Sequence, residues 1–335
     1  MFLPGVGLLC FTLQIQGDVE GGGTGEEKRT GIEGAGVSHL EMDQYIIGPP
    51  IGEGRFGVVR AAVVKGSGMP AAIKFITISR LDEGIPHPTA RELLVAIRLV
   101  HPFIIRTYEI FPSGCSLALV MERCKSDLAT VLSGRSASDP LSTSKAKSLF
   151  KMLLMALAYM HSEGILHRDV KPSNCFLTGE GELRLGDFGL SRLWDREASM
   201  THEVVSRWYR APELLLGQRH YGPEIDMWSS GCVLAELLRG YSGAFFAGDG
   251  EIWQLSRIFD VLGTPTPKSW PSAVLLPDWG KVHFETKPPQ PLRVFFPDVS
   301  EAALDLLQQL LCLDPQKRLT AAGALRHAYF CEYPT

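Results

Sequence analysis

Three polar residues stand in an order that suits phosphate chemistry. Asp169 and Asn174 belong to residues 167–174, which read HRDVKPSN, and Asp187 opens an Asp-Phe-Gly triplet 13 residues after Asn174. Phosphoryl transfer needs a carboxylate near the attacking hydroxyl and oxygen ligands for Mg²⁺. Asp169 can supply the first, and Asn174 and Asp187 can supply the second.

A glycine-rich loop upstream indicates the same chemistry. Residues 52–57 read GEGRFG, in which the glycines let the backbone approach phosphates and expose its N–H groups. A dinucleotide-binding turn shares this pattern, but there a helix follows and an acid about 20 residues on holds the ribose. Here Val58 and Val59 open a strand-like run, and the residue 20 after Gly54 is Lys74, a cation suited to phosphates. The chain has no G-x-x-x-x-G-K-[ST] motif, which excludes a P-loop nucleotidase.

The interpretation of Lys74 as a phosphate-binding residue depends on a second residue. A lone lysine on a short apolar strand is most often a solvated edge residue. Glu92, 18 residues on, falls on a predicted helix. An ion pair between the two would hold the ammonium group at the α- and β-phosphates of a nucleotide.

The elements that position these residues follow from the hydrophobic pattern. Short β-branched runs separated by Gly, Pro and Ser predict strands at 57–64, 71–76 and 117–121. One helix is predicted from Thr89, as its cap, to Leu99. Wide apolar faces predict helices at 144–161, 223–239 and 300–313. We therefore predict an α+β fold with two lobes, a small β-rich lobe with one regulatory helix and a larger helical lobe.

The boundaries of these parts are expected as follows. Residues 1–41 form a disordered or non-native extension, because the apolar run from Phe2 to Ile15 has no preceding Lys or Arg and leads into a Gly-rich acidic stretch. A targeting segment is the alternative. The small lobe then covers 42–121, the hinge 122–127 and the large lobe 128–335.

Composition narrows the classes of partner. The net charge of -4 over 335 residues gives no basic surface for nucleic acid, and the N-terminal apolar run is too short to span a bilayer. We therefore expect neither nucleic acid nor membrane as a partner. The seven cysteines form no C-x-x-C pair, which favours reduced thiols in the cytosol or nucleus.

Two further motifs complete a series that resembles the protein kinases. Residues 211–213 read APE and residues 226–231 fit D-x-W-x-x-G, in the order of that superfamily. Segments 86–92 (PHPTARE) and 201–210 (THEVVSRWYR) resemble the cyclin-binding helix and the activation segment of the cyclin-dependent kinases. The match is similar in detail to the cell-cycle-related kinase branch, through MDQY at 42–45, SDLA at 126–129 and PDVS at 297–300. The resemblance implies transfer of the γ-phosphoryl group of ATP, with Mg²⁺, to protein hydroxyls.

The resemblance also implies roles for residues. Lys74 pairs with Glu92, Asp169 is the catalytic base, Lys171 steadies the γ-phosphate, and Asn174 and Asp187 hold Mg²⁺. In the large lobe, Glu213 pairs with Arg318. Adenine lies between Val59, Ala72 and Phe176, bonds to the hinge backbone at Glu122 and Cys124 behind Met121, and the ribose reaches Asp127. The loop residues of the nucleotide site are Ile51, Gly52, Glu53, Gly54, Arg55, Phe56 and Gly57.

Regulation and substrate choice are implied in the same way. Thr201 stands where the family carries an activating phosphothreonine, with Arg91, Arg168 and Arg192 as its matching basic residues; the alternative is an exposed loop threonine. The residues matching the segment that selects proline after the acceptor are Val204, Val205 and Arg207. The expected partners are proteins with Ser/Thr-Pro sites, an upstream activating kinase, and a cyclin or another activating protein. A cilium or flagellum is a location suggested by the resemblance alone.

Several residues depart from the family pattern. Arg55 and Phe56 replace inhibitory phosphorylation sites, and Ala96 and Thr107 replace larger apolar residues that stabilise the active position of the regulatory helix. We therefore expect full activity to depend on a partner or on phosphorylation of Thr201. A non-catalytic kinase-fold scaffold is the alternative function, and a small-molecule phosphotransferase is disfavoured by the peptide-recognition motifs.

Overall fold

A computed structural model describes residues 42–54, 57–78, 84–201 and 204–331. The predictions for residues 1–41, for Arg55 and Phe56, and for positions 202 and 203 of the activation segment lie outside the described residues. Within the described residues, no helix combines the length and apolar character needed to cross a bilayer. The six cysteines in this part of the chain are free thiols.

Where the structure describes it, the N-terminal part contains an antiparallel sheet of five strands and a helix beside it. Its strands follow the order β1-β2-β3-β5-β4. Their bounds are β1 Tyr45–Gly54, β2 Gly57–Val64, β3 Pro70–Thr77, β4 Thr107–Ser113 and β5 Ser116–Glu122, and the helix α1 is His87–Arg98. The β-branched and aromatic residues of β2, β3 and β5 favour this pleated, half-buried surface.

The start of α1 differs from the prediction. The helix begins at His87, two residues before Thr89, and its N-cap position is Pro86, which makes no side-chain cap. Pro88 lies in the first turn, where a missing N–H leaves no donor to satisfy. Thr89 is therefore buried inside the helix rather than capping it.

The rest of the chain is mainly helical. Its helices are α2 Leu128–Ser133, α3 Thr143–Ser162, α4 Pro212–Leu215, α5 Glu224–Arg239, α6 Glu251–Leu262, α7 Glu301–Leu310 and α8 Ala321–Ala324. Five short strands form two small sheets, in the orders β6-β8-β9 and β10-β7. Their bounds are β6 Ser126–Asp127, β7 Ile165–Leu166, β8 Cys175–Leu177, β9 Leu183–Leu185 and β10 Arg192–Leu193. The predicted α+β kinase fold with two lobes is confirmed.

Helix α5 is the centre of the helical part. Every residue from Ile225 to Leu237 is buried, so the helix is covered on all sides rather than along one stripe. Gly231 allows this packing, because a Cβ there would lie 2.9 Å from a methyl carbon of Leu311. A helix so enclosed is a rigid support, and its first turn carries the buried carboxylate of Asp226.

Candidate active site

Three residues donate four hydrogen bonds to one buried carboxylate. Asp169 Oδ2 accepts hydrogen bonds from Lys171 Nζ at 2.7 Å and from Asn174 Nδ2 at 3.1 Å. Its Oδ1 accepts from the backbone N–H and the hydroxyl of Ser206, at 2.9 and 3.0 Å. Lys171 Nζ also donates to Ser206 Oγ at 2.8 Å. The carboxylate is therefore fixed in orientation by donors on both oxygens, as a positioned general base requires.

These contacts decide the charge of the Asp169 carboxyl. Burial by itself would raise its pKa, but the hydrogen bond and the positive charge of Lys171 outweigh burial, and the Ser206 N–H adds to their effect. The pKa of Asp169 is therefore held below its ordinary value. The group is ionised at neutral pH, which is the state that accepts a hydrogen bond from an alcohol.

The backbone before Asp169 is held in an unusual conformation. Arg168 has a φ of 65°, in the left-handed region that a non-glycine residue seldom adopts. The buried Asp226 carboxylate accepts the backbone N–H groups of His167 at 2.9 Å and Arg168 at 2.8 Å. His161 Nε2 lies 2.9 Å from the same carboxylate. Helix α5 thus fixes the loop that presents Asp169.

The predicted ion pair is formed across the small lobe. Lys74, in β3, places Nζ 2.5 Å from Glu92 Oε1, in α1. The same Nζ lies 3.6 Å from Asp187 Oδ1. The ammonium group is therefore held between a buried carboxylate and one that faces the cleft, with a 43% exposed side chain.

The metal-binding candidates lie at the same cleft. Asn174 donates its amide Nδ2 to the carbonyl and carboxylate oxygens of Asp169, so its remaining polar atom is an oxygen. Asp187 has a φ of 63°, and the next residue, Phe188, is buried with its ring in T-shaped contact with that of His167. An amide oxygen and an exposed carboxylate fit Mg²⁺, which takes one or two protein oxygens plus phosphate and water oxygens. No group of three or more His, Cys, Asp or Glu side chains suited to a metal is found among the described residues.

The residues predicted to surround the adenine lie on the sheet and beside the hinge. Val59 pairs with Lys74 across β2 and β3, and Ala72 pairs with Met121 across β3 and β5. Phe176, in β8, packs beside Gly186, where a Cβ would lie 3.1 Å from its ring. Branched, small and aromatic side chains of this kind suit contact with a flat base.

The surroundings of two hinge residues, Cys124 and Asp127, limit what each side chain can do. Burial and the nearby Glu122 carboxylate raise the pKa of the Cys124 thiol to about 12, so this cysteine is a neutral thiol rather than a nucleophile. Asp127 accepts hydrogen bonds from the backbone N–H and hydroxyl of Thr130, at 2.9 and 2.7 Å, and so caps α2. Its predicted contact with ribose has to coexist with this cap.

One glycine of the glycine-rich loop has a packing role. Ile51, Gly52 and Glu53 are exposed at the end of β1. Gly57 has a φ of 142°, and a Cβ there would overlap the Phe75 carbonyl oxygen at 1.8 Å. This glycine is therefore required by the packing of β2 on β3, a structural reason that the motif does not reveal.

The three arginines predicted around Thr201 lie close enough for their charges to act on one another. Burial, followed by the positive charges of Arg192 and Arg168, lowers the pKa of the Arg91 guanidinium. Arg168 donates to the Tyr221 hydroxyl at 3.0 Å, and Tyr221 donates to the Thr201 carbonyl at 2.6 Å. The arginines thus repel one another beside the backbone of an exposed threonine, an arrangement that an anion would relieve.

Two neighbouring backbone carbonyls in the segment after Thr201 are occupied. Arg210 donates to the carbonyl oxygens of Val204 at 2.8 Å and Val205 at 3.1 Å. Val205 has a φ of 67°, which is unfavourable for a β-branched residue. Arg207 donates to the Asp249 carbonyl at 2.7 Å and is exposed. Val204 and Val205 are buried, so they shape this surface through the backbone.

A buried ion pair anchors the end of this segment. Arg318 donates to both oxygens of Glu213, at 2.7 and 3.0 Å. Its Nη1 also donates to the Glu224 carbonyl at 2.7 Å, and its guanidinium lies over the Trp228 ring. The pair predicted from the sequence is formed, and it joins α4 to the chain between α7 and α8.

Two residues of the site were not assigned a role from the sequence. Ser206 bonds to Asp169 and Lys171, and Asp226 holds the loop before Asp169. A serine between a valine and an arginine has no distinctive pattern. The D-x-W-x-x-G motif did contain Asp226, but the spacing of 59 residues to His167 does not indicate a contact.

Comparisons with known proteins agree with this geometry. The family model described as "Protein kinase domain" matches residues 45–330. Human "Cyclin-dependent kinase 20" is 41% identical over 296 residues, which cover 88% of this chain and 84% of that protein. "Cyclin-dependent kinase D-1" of Oryza sativa subsp. japonica is 41% identical over 305 residues, which cover 91% of this chain and 70% of that protein.

A solved structure extends the likeness to three dimensions. The crystal structure of the yeast RNA Pol II CTD kinase CTDK-1 complex contains a chain with a TM-score of 0.78 and 32% sequence identity to this one. The match covers 93% of this chain and 97% of that chain. Sequence and fold therefore lead to the same group of proteins.

Proposed function

Because the chain belongs to the protein kinase family and, within it, to the cyclin-dependent kinases, we propose a role for each residue of its cleft in phosphoryl transfer. The protein is a proline-directed Ser/Thr protein kinase, with ATP as the phosphate donor. The proposal rests on one observation, the four hydrogen bonds that Lys171, Asn174 and Ser206 donate to the Asp169 carboxylate.

In this proposal Asp169 is the base that accepts the proton of the substrate hydroxyl. Its ionised state and fixed orientation support that role. Lys171, bonded to the same carboxylate, steadies the γ-phosphate as the hydroxyl approaches. Lys74, held by Glu92, binds the α- and β-phosphates. The chemistry is then one of positioning and charge, with no covalent enzyme intermediate.

Asn174 and Asp187 would hold Mg²⁺. When bound, the ion neutralises charge on the phosphates and fixes the angle of the γ-phosphoryl group. The positions of both side chains suit metal binding. Asn174 turns its amide nitrogen toward Asp169, and Asp187 presents an exposed carboxylate 3.6 Å from Lys74.

The choice of proline follows from the occupied carbonyls of Val204 and Val205. A substrate residue that carries an N–H would find both acceptors already bonded to Arg210. Leaving that donor buried without a partner is unfavourable by about 1–3 kcal/mol. Proline has no N–H and avoids this loss. Arg207, exposed at the edge of the same surface, is the third member of the proposed pocket.

Radiolabelled phosphate transfer tests the catalytic proposal. Purified kinase is given Mg-ATP with a Ser-Pro peptide and a Ser-Ala peptide, beside the variants Asp187→Asn and Asp139→Asn. Asp139 is an exposed acid in a surface pair, and serves as the matched control. We expect incorporation into the Ser-Pro peptide, its loss in Asp187→Asn, and its retention in Asp139→Asn. Absence of transfer even with phosphorylated Thr201 would favour a non-catalytic scaffold.

Phosphorylation of Thr201 is proposed as the activating event. A phosphate beside Arg91, Arg168 and Arg192 would remove their mutual repulsion and add charge-assisted hydrogen bonds. We expect phosphorylated enzyme to be at least tenfold more active, and Arg192→Ala to remove most of that gain. Equal activity of the phosphorylated and unphosphorylated forms would contradict the proposal.

A cyclin or a similar activating protein is proposed to bind the outer face of α1. Leu94 and Ile97 on this helix, which supplies Glu92, and Val100, two residues after its end, are each more than half exposed. Ala96, on the buried face, fills little space, so α1 has weak internal support. A partner covering the outer face would favour the position in which Glu92 meets Lys74. Loss of partner-stimulated activity in Leu94→Asp, with unstimulated activity kept, is the expected result.

A further inference from the structure

Three large apolar side chains are exposed together at the start of α6. The exposed fractions are 47% for Trp208, 53% for Ile252 and 68% for Trp253. Single exposed apolar residues are common, but a group that contains two tryptophans is informative. We call Trp208, Ile252 and Trp253 the tryptophan patch.

Trp208 and Trp253 both lie beside one short loop, residues 248–250. Trp208 Nε1 donates to the Gly248 carbonyl at 3.2 Å, and Gln254 Nε2 donates to the Trp208 carbonyl at 3.3 Å. A Cβ built on Gly250 would lie 3.8 Å from Trp253 Cδ1, so the Trp253 indole folds back toward the N-terminus of α6. Both indoles therefore border residues 248–250.

The patch continues the surface that leads from the catalytic carboxylate. Ser206 is bonded directly to Asp169, and Arg207 donates to the Asp249 carbonyl at 2.7 Å. Trp208 follows two residues after Ser206, which places their Cα atoms no more than about 7 Å apart. An extended peptide advances about 3.3 Å per residue. A substrate chain that leaves Asp169 past residues 204–207 thus reaches the patch about two to four residues after the acceptor.

We propose that the tryptophan patch binds an apolar substrate side chain two to four positions after the phosphorylated Ser or Thr. The proposal rests on the proposed function of Val204, Val205 and Arg207 as the proline pocket. Its continuity with that pocket favours the substrate chain as the occupant. The neighbouring Glu251 is paired with Arg210 at 2.7 Å, so its charge is partly neutralised at the rim of the patch.

A leucine at the matching position loses water-exposed surface against the indoles. Full burial of such a side chain would improve binding by more than tenfold, and a half-open surface retains part of this gain. We expect about tenfold higher kcat/KM for the favoured leucine peptide than for its alanine counterpart. The gain should appear mainly in KM, because the patch does not touch the reacting atoms.

Peptide kinetics with a surface control test this proposal. The substrates are a Ser-Pro peptide with alanine at the following three positions and three versions with one leucine each, and a Ser-Ala set with the same changes. The enzymes are wild type, Trp253→Ala and Val294→Ala, in which Val294 is a 66% exposed apolar residue distant in sequence from the patch. The leucine-to-alanine ratio should fall to near one in Trp253→Ala and keep its wild-type value in Val294→Ala.

The measurements distinguish failure of the patch proposal from failure of the proline-pocket proposal. A wild-type ratio of one at all three positions, or a ratio that survives in Trp253→Ala, overturns the proposal for the patch. Equal rates on the Ser-Pro and Ser-Ala sets instead overturn the proline pocket, while the leucine ratio is still read within each set. Fluorescence anisotropy of labelled peptides gives the same ratio as Kd when turnover is absent. A change of oligomeric state in Trp253→Ala with an unchanged ratio would assign the patch to self-association.

Discussion

Ser206 donates both its backbone N–H and its hydroxyl to the same oxygen of Asp169, at 2.9 and 3.0 Å. The two residues belong to different segments, one before α4 and the other in the loop after β7. The orientation of the proposed base therefore depends on the placement of the segment that carries the proposed proline pocket. Since Thr201 lies only five residues before Ser206, a change at Thr201 can reach Asp169 through this short piece of chain.

Removal of the Ser206 hydroxyl should slow the chemical step. Ser206→Ala keeps the backbone hydrogen bond to Asp169 and loses the one from Oγ, together with the acceptor for Lys171. A hydrogen bond to a charged group contributes about 1.5–3 kcal/mol, so kcat should fall by about 10- to 100-fold. Ser206→Thr retains the hydroxyl and should stay close to wild type. Equal kcat for the alanine and threonine variants would contradict this role.

The pair of Lys74 and Glu92 should be coupled energetically. Lys74→Met and Glu92→Gln each break the 2.5 Å contact, so the double variant should lose less activity than the sum of the single losses. We expect a coupling free energy above about 1 kcal/mol in kcat/KM for ATP. The exposed pair of Arg98 and Glu163, at 3.3 Å, is the control and should show a coupling near zero. Additive effects at Lys74 and Glu92 would mean that the pair does not act as a unit.

Because Asp226 is buried and ionised, the free energy of unfolding should depend on pH. Burial would raise its pKa, but the hydrogen bond and charge of His161 and the His167 N–H lower it below the ordinary value of 3.8. A lowered folded-state pKa gives stability that is present above the unfolded value and lost as pH falls through the folded value. Asp226→Asn should lose about 3 kcal/mol of unfolding free energy at pH 7. Urea unfolding from pH 7 downward should show this difference shrinking below about pH 4, and a constant difference would refute it.

The pair of Glu213 and Arg318 should contribute mainly to stability. Glu213→Gln leaves the guanidinium buried with one charged partner removed, so the unfolding free energy should fall by about 3–5 kcal/mol. Asp139→Asn breaks the exposed pair with Arg135 and should change it by less than about 1 kcal/mol. Denaturant titration of both variants makes the comparison. Similar small losses would show that Arg318 is held by its carbonyl and ring contacts instead.

Most of the strands and helices predicted from the sequence, and two predicted ion pairs, are present in the structure. The strands at 57–64, 71–76 and 117–121 and the helices α3, α5 and α7 were predicted to within a few residues, because their apolar periods are long and uninterrupted. The pairs Lys74–Glu92 and Glu213–Arg318 were expected and are formed. The N-terminus of α1 was missed, because Thr89 matches a capping pattern while Pro86 and Pro88 start the helix without one.

The sequence by itself determined the reaction class, since phosphoryl transfer needs a small set of charged groups and HRDVKPSN, Asp-Phe-Gly and Lys74 state them in order. Only the tertiary structure decided which groups hold these residues in place. Ser206 reaches Asp169 across 37 residues and Asp226 reaches Arg168 across 58, and no local pattern encodes such contacts. The same holds for the tryptophan patch, because the exposure of Trp208 and Trp253 depends on what the rest of the chain leaves uncovered. Local chemistry is written in residue types and spacing, whereas burial and orientation arise only when distant segments pack together.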